Sequence, residues 1–182
     1  MISVLAYLFT MDQIATTMFP DEASFMRLAL QQARHGSKRG EVPVGAVIVH
    51  NDQIVGSGYN RREELQSPIA HAEILALDEA SRKLGYWRLT ECDLYVTLEP
   101  CIMCAGAILQ GRLRRVIFGC LDPKAGAVIS LYHLCDDRRL NHQLPTTGGV
   151  LAKECATVLS EFFSSLREQK RITRCGEVAE PG

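Results

Sequence analysis

The sequence lacks an excess of charge of either sign: its 182 residues carry 20 lysines and arginines against 21 aspartates and glutamates, a formal net charge of -1 at pH 7. Such a chain is not a polycation that coats nucleic acid indiscriminately. It also lacks the internal repeats, low-complexity runs and long linkers that would divide it. With 47% hydrophobic and 23% charged residues, the composition indicates one globular domain with a packed core.

Long hydrophobic runs are missing as well. Residues 1–9 are apolar, but they lack a basic start and are too short to span a bilayer, so we expect neither a secretory signal nor a membrane segment. We predict that residues 1–20 are an N-terminal extension, with Met11 and Met18 as alternative translation starts. The seven cysteines, an odd number, favour a reducing cytoplasm in which cysteines bind metal or pack rather than pair.

Charge is distributed unevenly along the chain. Residues 1–100 carry 9 basic and 13 acidic side chains, whereas residues 101–182 carry 11 and 8. The basic excess falls into two groups, from Arg112 to Arg139 and from Arg167 to Arg174. Two interpretations stay open: a solvated helix face with ordinary loop charges, or a patch that meets RNA phosphates.

Strand and helix patterns alternate through the chain. Asp21-Glu22 precedes apolar residues at helical spacing, and the apolar run from Val42 to His50 is typical of a buried strand. The predicted helices cover residues 24–39, 67–84, 100–110 and 153–170, and the predicted strands cover residues 42–50, 53–59, 93–98, 115–119 and a short stretch near 149–151. Strands separated by helices predict a layered α/β domain with helices on both faces of the sheet.

Two short segments carry side chains that bind zinc. His71-Ala72-Glu73 lies at the beginning of a helix, and Pro100-Cys101-Ile102-Met103-Cys104 begins another helix directly after a strand. The one imidazole and two thiolates of His71, Cys101 and Cys104 suit Zn²⁺ and leave its fourth tetrahedral position open for water. The sequence therefore predicts a catalytic zinc site.

The spacing of these residues has a mechanical reason. Cys101 and Cys104 are three residues apart, so both thiolates emerge on one face of the first helical turn. The unpaired N–H groups and positive dipole end of that turn favour negative sulfur atoms, and Pro100 is tolerated there because its missing N–H would be unpaired anyway. Glu73, two residues from His71, is placed to take a proton from the attacking water and return it to a ring nitrogen and a leaving amine.

The competing interpretation is a closed zinc site that only braces the fold. Such a site needs a fourth cysteine or histidine, and the candidates Cys92 and Cys120 each lie at the strand edge far from the helix starts. His-x-Glu followed by Pro-Cys-x-x-Cys is instead the signature of the zinc deaminases that act on nucleobases. The pattern therefore favours catalysis.

From Asp21 to Arg171 the chain resembles the bacterial tRNA-specific adenosine deaminases of the cytidine deaminase-like superfamily. The resemblance is carried by the two zinc segments and by Glu41–Val47, Gly58–Arg61, Asp122–Ala127, Asn141-His142, Gly149–Leu151 and Phe162-Phe163. It implies a three-layer α/β/α fold with a central mixed five-stranded sheet. It also implies a zinc deaminase domain over residues 21–172 and a flexible tail over residues 173–182.

The resemblance implies zinc-dependent hydrolysis of adenosine to inosine at the wobble position of a tRNA anticodon, with release of ammonia. The resemblance also implies one Zn²⁺ per subunit, a tRNA anticodon stem-loop as partner, a homodimer, no membrane association and a cytoplasmic location. Glu73 would be the catalytic residue, while Asn60 and the Ala72 backbone N–H would hold the purine. The implied RNA contacts are Asp122, Lys124, Asn141, His142, Phe163 and Arg167.

Some of these residues fit structural roles equally well. Phe163 fits core packing, His142 fits an ordinary loop, and Ile108 and Leu109 fit either the core or a dimer face. One departure from the family pattern is Ile129, where the family usually has glycine. A β-branched residue does not readily take the positive φ that glycine permits, so such a φ would be strained here.

Two other functions stay open. The zinc segments alone also fit a deaminase of a free base or nucleoside, such as guanine or cytidine. Such an enzyme does not need the basic C-terminal helix or the loop from Asp122 to Ala127. A zinc-braced RNA-binding module without catalysis has no use for Glu73 as a proton shuttle. The sequence therefore favours the RNA deaminase.

Overall fold

Helices and strands alternate along the computed structural model, which describes residues 21–177 and, within them, the side chains of residues 21–173. The helices are α1 (Glu22–Lys38), α2 (Arg62–Leu65), α3 (Ala72–Leu84), α4 (Ile102–Gln110) and α5 (Ala152–Glu177). The strands are β1 (Gly45–His50), β2 (Gln53–Tyr59), β3 (Cys92–Leu98), β4 (Arg115–Cys120) and β5 (Thr146–Gly148). The predicted extension, residues 1–20, lies outside the described residues, as do residues 178–182 of the predicted tail.

The five strands form one mixed sheet in the order β2-β1-β3-β4-β5. β1 is antiparallel to both neighbours, while β3, β4 and β5 run parallel. Leu98 lies opposite Cys120, and Gly45, at the start of β1, lies opposite Tyr59 at the end of β2. These four strands therefore each have a terminus at one end of the sheet, called here the carboxyl end because β3 and β4 finish there. The predicted mixed five-stranded sheet is confirmed.

The sheet lies between two layers of helices. α1 and α5 pack on one face, against Val47 and Tyr95 among others. α3 and α4 cover the other face, against Ile48 and Leu94. Successive residues of a strand point to opposite faces, and here both faces are buried. The predicted three-layer α/β/α fold is confirmed.

Two glycines of β2 allow α3 to lie close to the sheet. A Cβ atom at Gly56 would lie 2.2 Å from the carbonyl oxygen of Ala76, and one at Gly58 would lie 2.3 Å from that of Ala72. Both distances are far below van der Waals contact, and the atoms approached belong to a packed helix backbone. Larger residues at these positions would push the start of α3 away from the sheet.

The last strand lies earlier than predicted. β5 covers Thr146–Gly148 rather than residues 149–151. Gly149 has a φ of 95°, and its N–H donates to the carbonyl groups of Phe118 and Gly119. This left-handed turn ends the pairing with β4 and leads into α5, which continues to Glu177, past the predicted end at residue 170. Neither α5 nor any other helix within residues 21–177 is long and apolar enough to cross a membrane.

α3 begins later than predicted, at Ala72 rather than at residue 67. The chain between β2 and α3 first forms α2, a four-residue helix that no pattern predicted. A turn follows, in which the Ala70 N–H donates to the Ser67 carbonyl group. His71 is extended, with φ −81° and ψ 153°, and is the N-cap of α3. It therefore lies immediately outside the helix.

We expect Gly56→Ala to destabilise the fold by about 1–3 kcal/mol, the usual cost of forcing an extra methyl group into a packed interface. Gly106→Ala in α4 is the matched control, because no atom lies within 4 Å of a Cβ there. An alanine in that helix should leave the stability unchanged or raise it. Urea unfolding followed by circular dichroism measures both variants, and equal stabilities would contradict the close packing of α3 on β2.

Candidate active site

Two helices begin side by side at the carboxyl end of the sheet. α4 follows β3 after three residues, and α3 packs against both β2 and α4. His71 is the N-cap of α3 and Cys101 is the N-cap of α4, both with extended backbones. The unpaired N–H groups and the positive dipole ends of the two helices therefore meet in one place.

The donor atoms of three side chains converge there. Nδ1 of His71 lies 3.7 Å from Sγ of Cys101 and 3.5 Å from Sγ of Cys104. In a tetrahedral zinc site with ordinary bond lengths, a nitrogen and a sulfur ligand lie about 3.6 Å apart. Within residues 21–177 this is the one group of three or more His, Cys, Asp or Glu side chains placed to hold a metal ion. The chemistry and spacing of the donors therefore fit Zn²⁺.

The start of α4 differs in detail from the prediction. The helix begins at Ile102, so Cys101 caps it and Pro100 precedes the cap instead of lying in the first turn. Cys104 is the third helical residue and is buried. The two sulfur atoms still meet near His71, because an N-cap side chain and one three residues later lie on the same side of the first turn.

Hydrogen bonding between the two cysteines changes their acidity. The Cys104 thiol donates to the sulfur of Cys101, and this bond, together with one from His71, lowers the pKa of Cys101 to about 3. The same bond and burial raise the pKa of Cys104, and the bond to Cys101 raises the pKa of His71. The cluster thus favours a thiolate already at Cys101, and a bound cation would favour thiolates at both positions.

Glu73, the second residue of α3, is only 4% exposed and lies beside Cys104. Burial raises the pKa of its carboxyl group above the usual value. A carboxyl group with a raised pKa, held next to a metal centre, is suited to accept a proton and release it again. Glu73, the predicted proton shuttle, therefore lies beside the metal donors.

The structure pairs Asn60 and Ala72 with each other. The Ala72 N–H donates to Oδ1 of Asn60 over 3.1 Å, so a purine held by this N–H, as predicted, would share it with Asn60. Within residues 21–173, every fully buried side-chain nitrogen or oxygen atom has a hydrogen-bond partner. Nδ2 of Asn60 has no protein partner in this part of the chain, so it is not fully buried. The amide nitrogen is therefore accessible, and it is the Asn60 group that remains available to a ligand.

Glu99 organises the site and was missed as a functional residue. Its buried carboxylate accepts N–H bonds from Val128 at 3.1 Å, Ile129 at 2.7 Å and Ser130 at 2.8 Å on one oxygen. The other oxygen accepts the Asp122 N–H and the Ser130 hydroxyl. Burial opposes ionisation, but these hydrogen bonds outweigh it and lower the pKa of Glu99. Its position directly before the Pro-Cys segment was the available signal.

Ile129 fits this loop without strain. The non-glycine residues with positive φ among the described ones are Asn51, Asp52, Gln66, Arg112 and Leu151, so the backbone at position 129 needs no glycine. The Ile129 N–H is bonded to Glu99, and its side chain is 43% exposed. The concern about a strained positive φ at this position was therefore wrong.

Two of the predicted RNA contacts lie in the same loop at the carboxyl end. Oδ1 of Asp122 accepts the backbone N–H groups of Lys124 and Ala125, at 3.0 and 3.2 Å. These bonds close a tight turn that leaves the Lys124 side chain exposed. Asp122 therefore stabilises the turn, and Lys124 is a positive charge that the loop exposes to solvent.

Asn141 and His142 lie at the opposite end of the sheet. The Asn141 carbonyl accepts a hydrogen bond from Arg112, and Nε2 of His142 lies 3.3 Å from the carbonyl oxygen of Leu113. Leu113 precedes β4, so it lies at the end of that strand away from Cys120. The structure therefore separates this pair from the metal donors by the length of β4, and its contact with RNA stays a prediction.

Solvent exposure of the side chains distinguishes structural from functional roles for the remaining residues. Phe163 is 42% exposed and packs edge-on against Phe162, so the core-packing alternative for it was wrong. Arg167 is exposed and bonds only locally, to Ser164. Ile108 and Leu109 belong to α4, and their side chains are buried in the core, so core packing is the correct interpretation for both.

Neither candidate for a fourth zinc ligand joins the cluster. Cys92 is the first residue of β3, at the far end of the sheet as expected. Cys120 instead ends β4 at the carboxyl end, which corrects its predicted position. Its side chain packs toward α1 and α5 and donates to the Thr97 carbonyl group, so it faces away from α3 and α4. Within the described residues the donor set stays at three.

Comparisons with known proteins agree with this donor set. Residues 20–120 match the family model of the cytidine and deoxycytidylate deaminase zinc-binding region. The chain is 47% identical over 150 residues to a tRNA-specific adenosine deaminase of Bacillus subtilis (strain 168), covering 82% of this chain and 93% of that protein.

Solved structures give the same relationship. One from a study of A-to-I editing by tRNA:A34 deaminases at the wobble position of transfer RNA has a TM-score of 0.72 and 44% identity, over 74% of this chain and 98% of that chain. A guanine deaminase from Bacillus subtilis has a TM-score of 0.54 and 36% identity, over 56% of this chain and 65% of that one. The likeness to the tRNA deaminase structure extends further along both chains.

We expect Glu99→Gln to loosen the loop at the carboxyl end, because the amide places a donor opposite backbone N–H groups. Bonds to a charged acceptor are worth about 1.5–3 kcal/mol, so amide exchange of residues 128–130 should become about tenfold faster or more. Hydrogen–deuterium exchange with mass spectrometry measures this. Glu91→Gln, at an exposed glutamate, is the control. Unchanged exchange at residues 128–130 would show that Glu99 does not hold the loop.

Proposed function

The chain belongs to the family of zinc-binding cytidine and deoxycytidylate deaminases and, within it, to the tRNA-specific adenosine deaminases. We therefore propose that it hydrolyses adenosine to inosine at the wobble position of a tRNA anticodon. Water replaces the 6-amino group of the base, which leaves as ammonia. The observation that carries the proposal is the buried Glu73 beside the converging donors of His71, Cys101 and Cys104.

One zinc ion per subunit would be held by His71, Cys101 and Cys104. A bound zinc ion with an open position supplies the nucleophile by lowering the pKa of a water molecule. The three side chains leave that position open, because no fourth donor within the described residues joins them.

Glu73 moves the protons of the reaction. It takes a proton from the attacking water and delivers it to the ring nitrogen next to the reacting carbon, then assists departure of the amine. The raised pKa of its carboxyl group supports this role, since the protonated form has to persist between the two transfers. The low exposure of Glu73 keeps bulk water away from the transferred proton.

Asn60 orients the base. Its accessible Nδ2 can donate to a ring nitrogen of the purine, while its Oδ1 stays bonded to the Ala72 N–H. A ligand acceptor that also approached this N–H would have to share it with Asn60. An adenosine in a single-stranded anticodon loop enters such a pocket without the breaking of base pairs.

The RNA is held by the carboxyl end of the sheet. Lys124 and Arg167 are exposed cations that can meet phosphates, and the exposed ring of Phe163 can stack on a base. Asp122 contributes by shaping the turn that carries Lys124. Asn141 and His142 are left out of this interface, because they lie at the other end of the sheet.

We further propose a cytoplasmic homodimer. The cytoplasm holds tRNA and keeps free thiols reduced. A groove between α3 and α4 is lined by Ile74, Leu77, Trp87 and Ala107, and Trp87 is 59% exposed. An exposed apolar surface of this kind is typical of a subunit interface.

Light scattering should give twice the chain mass for the wild type. Trp87→Glu should shift the mass toward that of one chain, because it places a charge in the apolar groove. Ile172→Glu, at an exposed residue of α5, should leave the dimer intact. A monomeric wild type at micromolar concentration would refute the dimer.

The activity test uses an anticodon stem-loop RNA with adenosine at the wobble position, digested after incubation and analysed for nucleosides by mass spectrometry. Inosine should form from the wobble adenosine alone. Glu73→Gln should keep about one zinc per chain and lose turnover by roughly 10²- to 10⁴-fold, the usual contribution of a general acid–base.

Two results would contradict the proposal. Folded, zinc-loaded wild-type protein that forms no inosine would point to a free base or nucleoside, with guanine and cytidine as the next substrates. Full activity of Glu73→Gln would instead exclude the assigned proton shuttle.

A further inference from the structure

The chain between Asn60 and His71 forms a loop that is closed at its base. The Arg61 N–H donates to the Ala70 carbonyl over 2.9 Å, and the Ala72 N–H donates to Oδ1 of Asn60 over 3.1 Å. The two ends of this 61–70 loop are therefore Asn60, the proposed base contact, and His71, a metal donor. A displacement of the loop therefore acts on Asn60, whereas His71 is also held in place as the N-cap of α3.

Burial of apolar side chains holds this loop only at its base, where Ala70 is buried. The loop contains α2, and none of the four residues of α2 is buried. Leu65 and Ile69 are both exposed. A segment with so little apolar anchoring opens at low free-energy cost unless polar contacts restrain it. The position of the loop therefore depends on its hydrogen bonds and ion pairs.

One carboxylate in the middle of the loop collects three donors. Glu64 accepts hydrogen bonds from Nη2 of Arg61 at 2.9 Å, Nη2 of Arg39 at 3.0 Å and the hydroxyl of Tyr59 at 3.2 Å. Arg61 and then Arg39 lower the pKa of Glu64 to about 2, so the carboxylate stays ionised at any pH of assay. Charged bonds that converge in this way restrict both the carboxylate and its donors.

Two of the three donors, Arg39 and Tyr59, lie outside the loop. Arg39 is the C-cap of α1, and Tyr59 ends β2 with its ring 4.8 Å from that of His35. The backbone N–H of Glu64 also donates to the buried carboxylate of Glu41 over 2.8 Å, in the segment that joins α1 to β1. Through Glu64 the middle of the loop is therefore tied to α1 and to the start of the sheet.

We propose that Glu64 is a positioning residue for deamination: by tying the 61–70 loop to α1 through Arg39 and to β2 through Tyr59, it sets where Asn60 stands relative to His71. The inference rests on the proposed function, which makes Asn60 the base contact. Glu64 itself touches neither the base nor the metal donors. It acts on substrate binding through Asn60. Metal retention does not require Glu64, because His71 is also held as the N-cap of α3 and the two cysteines lie at the start of α4.

The test compares Glu64→Ala and Arg39→Gln with the control Glu63→Ala, a neighbour in α2 whose side chain is exposed. Each variant of the full chain is loaded with zinc and assayed on the anticodon stem-loop. We expect Glu64→Ala to lower kcat/KM by about tenfold, a size typical of lost positioning. KM should rise more than kcat falls, since Glu64 moves no proton. Combining Glu64→Ala with Arg39→Gln should lower kcat/KM no further than Glu64→Ala alone, because both substitutions break the same contact between Arg39 and Glu64.

Zinc content and hydrogen–deuterium exchange separate positioning from a general structural role. Glu64→Ala should keep one zinc per chain and the melting temperature of the control, while amides of residues 61–70 exchange faster. Loss of zinc or a large drop in melting temperature would overturn the inference, as would values of kcat/KM and exchange equal to those of Glu63→Ala. A wild type that forms no inosine refutes the proposed function instead, and the exchange data still test whether Glu64 holds the loop.

Discussion

The meeting of two helix N-termini at one end of a sheet is the constraint on which the rest of this structure depends. His71 caps α3 and Cys101 caps α4, so residues just outside two different helices become neighbours. The arrangement holds only while α3 lies close to β2, which Gly56 and Gly58 permit. A shift of α3 moves the imidazole relative to sulfur atoms only 3.7 and 3.5 Å away. Backbone packing between β2 and α3 therefore sets the geometry of the metal donors.

Three glutamates around this centre differ in acidity because their surroundings differ. Glu73 is buried with few donors, so desolvation dominates and its pKa is raised. Glu99 is also buried, but four backbone N–H groups and a hydroxyl lower its pKa and fix it as an anion that holds a loop. Glu64 is exposed, and Arg61 and Arg39 lower its pKa to about 2. Of the three, only Glu73 has its pKa raised, which agrees with a role in proton transfer beside the donors.

What could be predicted from the sequence was what local patterns encode. His71 and Glu73 lie in one short motif and the two cysteines in another, and hydrophobic periodicity predicts the order of strands and helices. Contacts between distant segments were not accessible in this way, since the groups bonded to Glu99 lie 23 to 31 residues further along the chain. The position of Asn141 and His142 was not accessible for a related reason. The long connection between β4 and β5 returns to the start of β4, where these two residues contact Arg112 and Leu113, and no periodic pattern shows this path.

The deaminase function requires that His71, Cys101 and Cys104 hold one zinc ion and leave its fourth position for water. Zinc K-edge X-ray absorption on the zinc-loaded full-length protein measures this coordination. We expect one imidazole nitrogen at about 2.0–2.1 Å, two sulfur atoms at about 2.3 Å and one further light atom that no protein side chain supplies. A shell with three or four sulfur atoms, or with a second imidazole in place of the light atom, would show a closed structural site and exclude an open position for water.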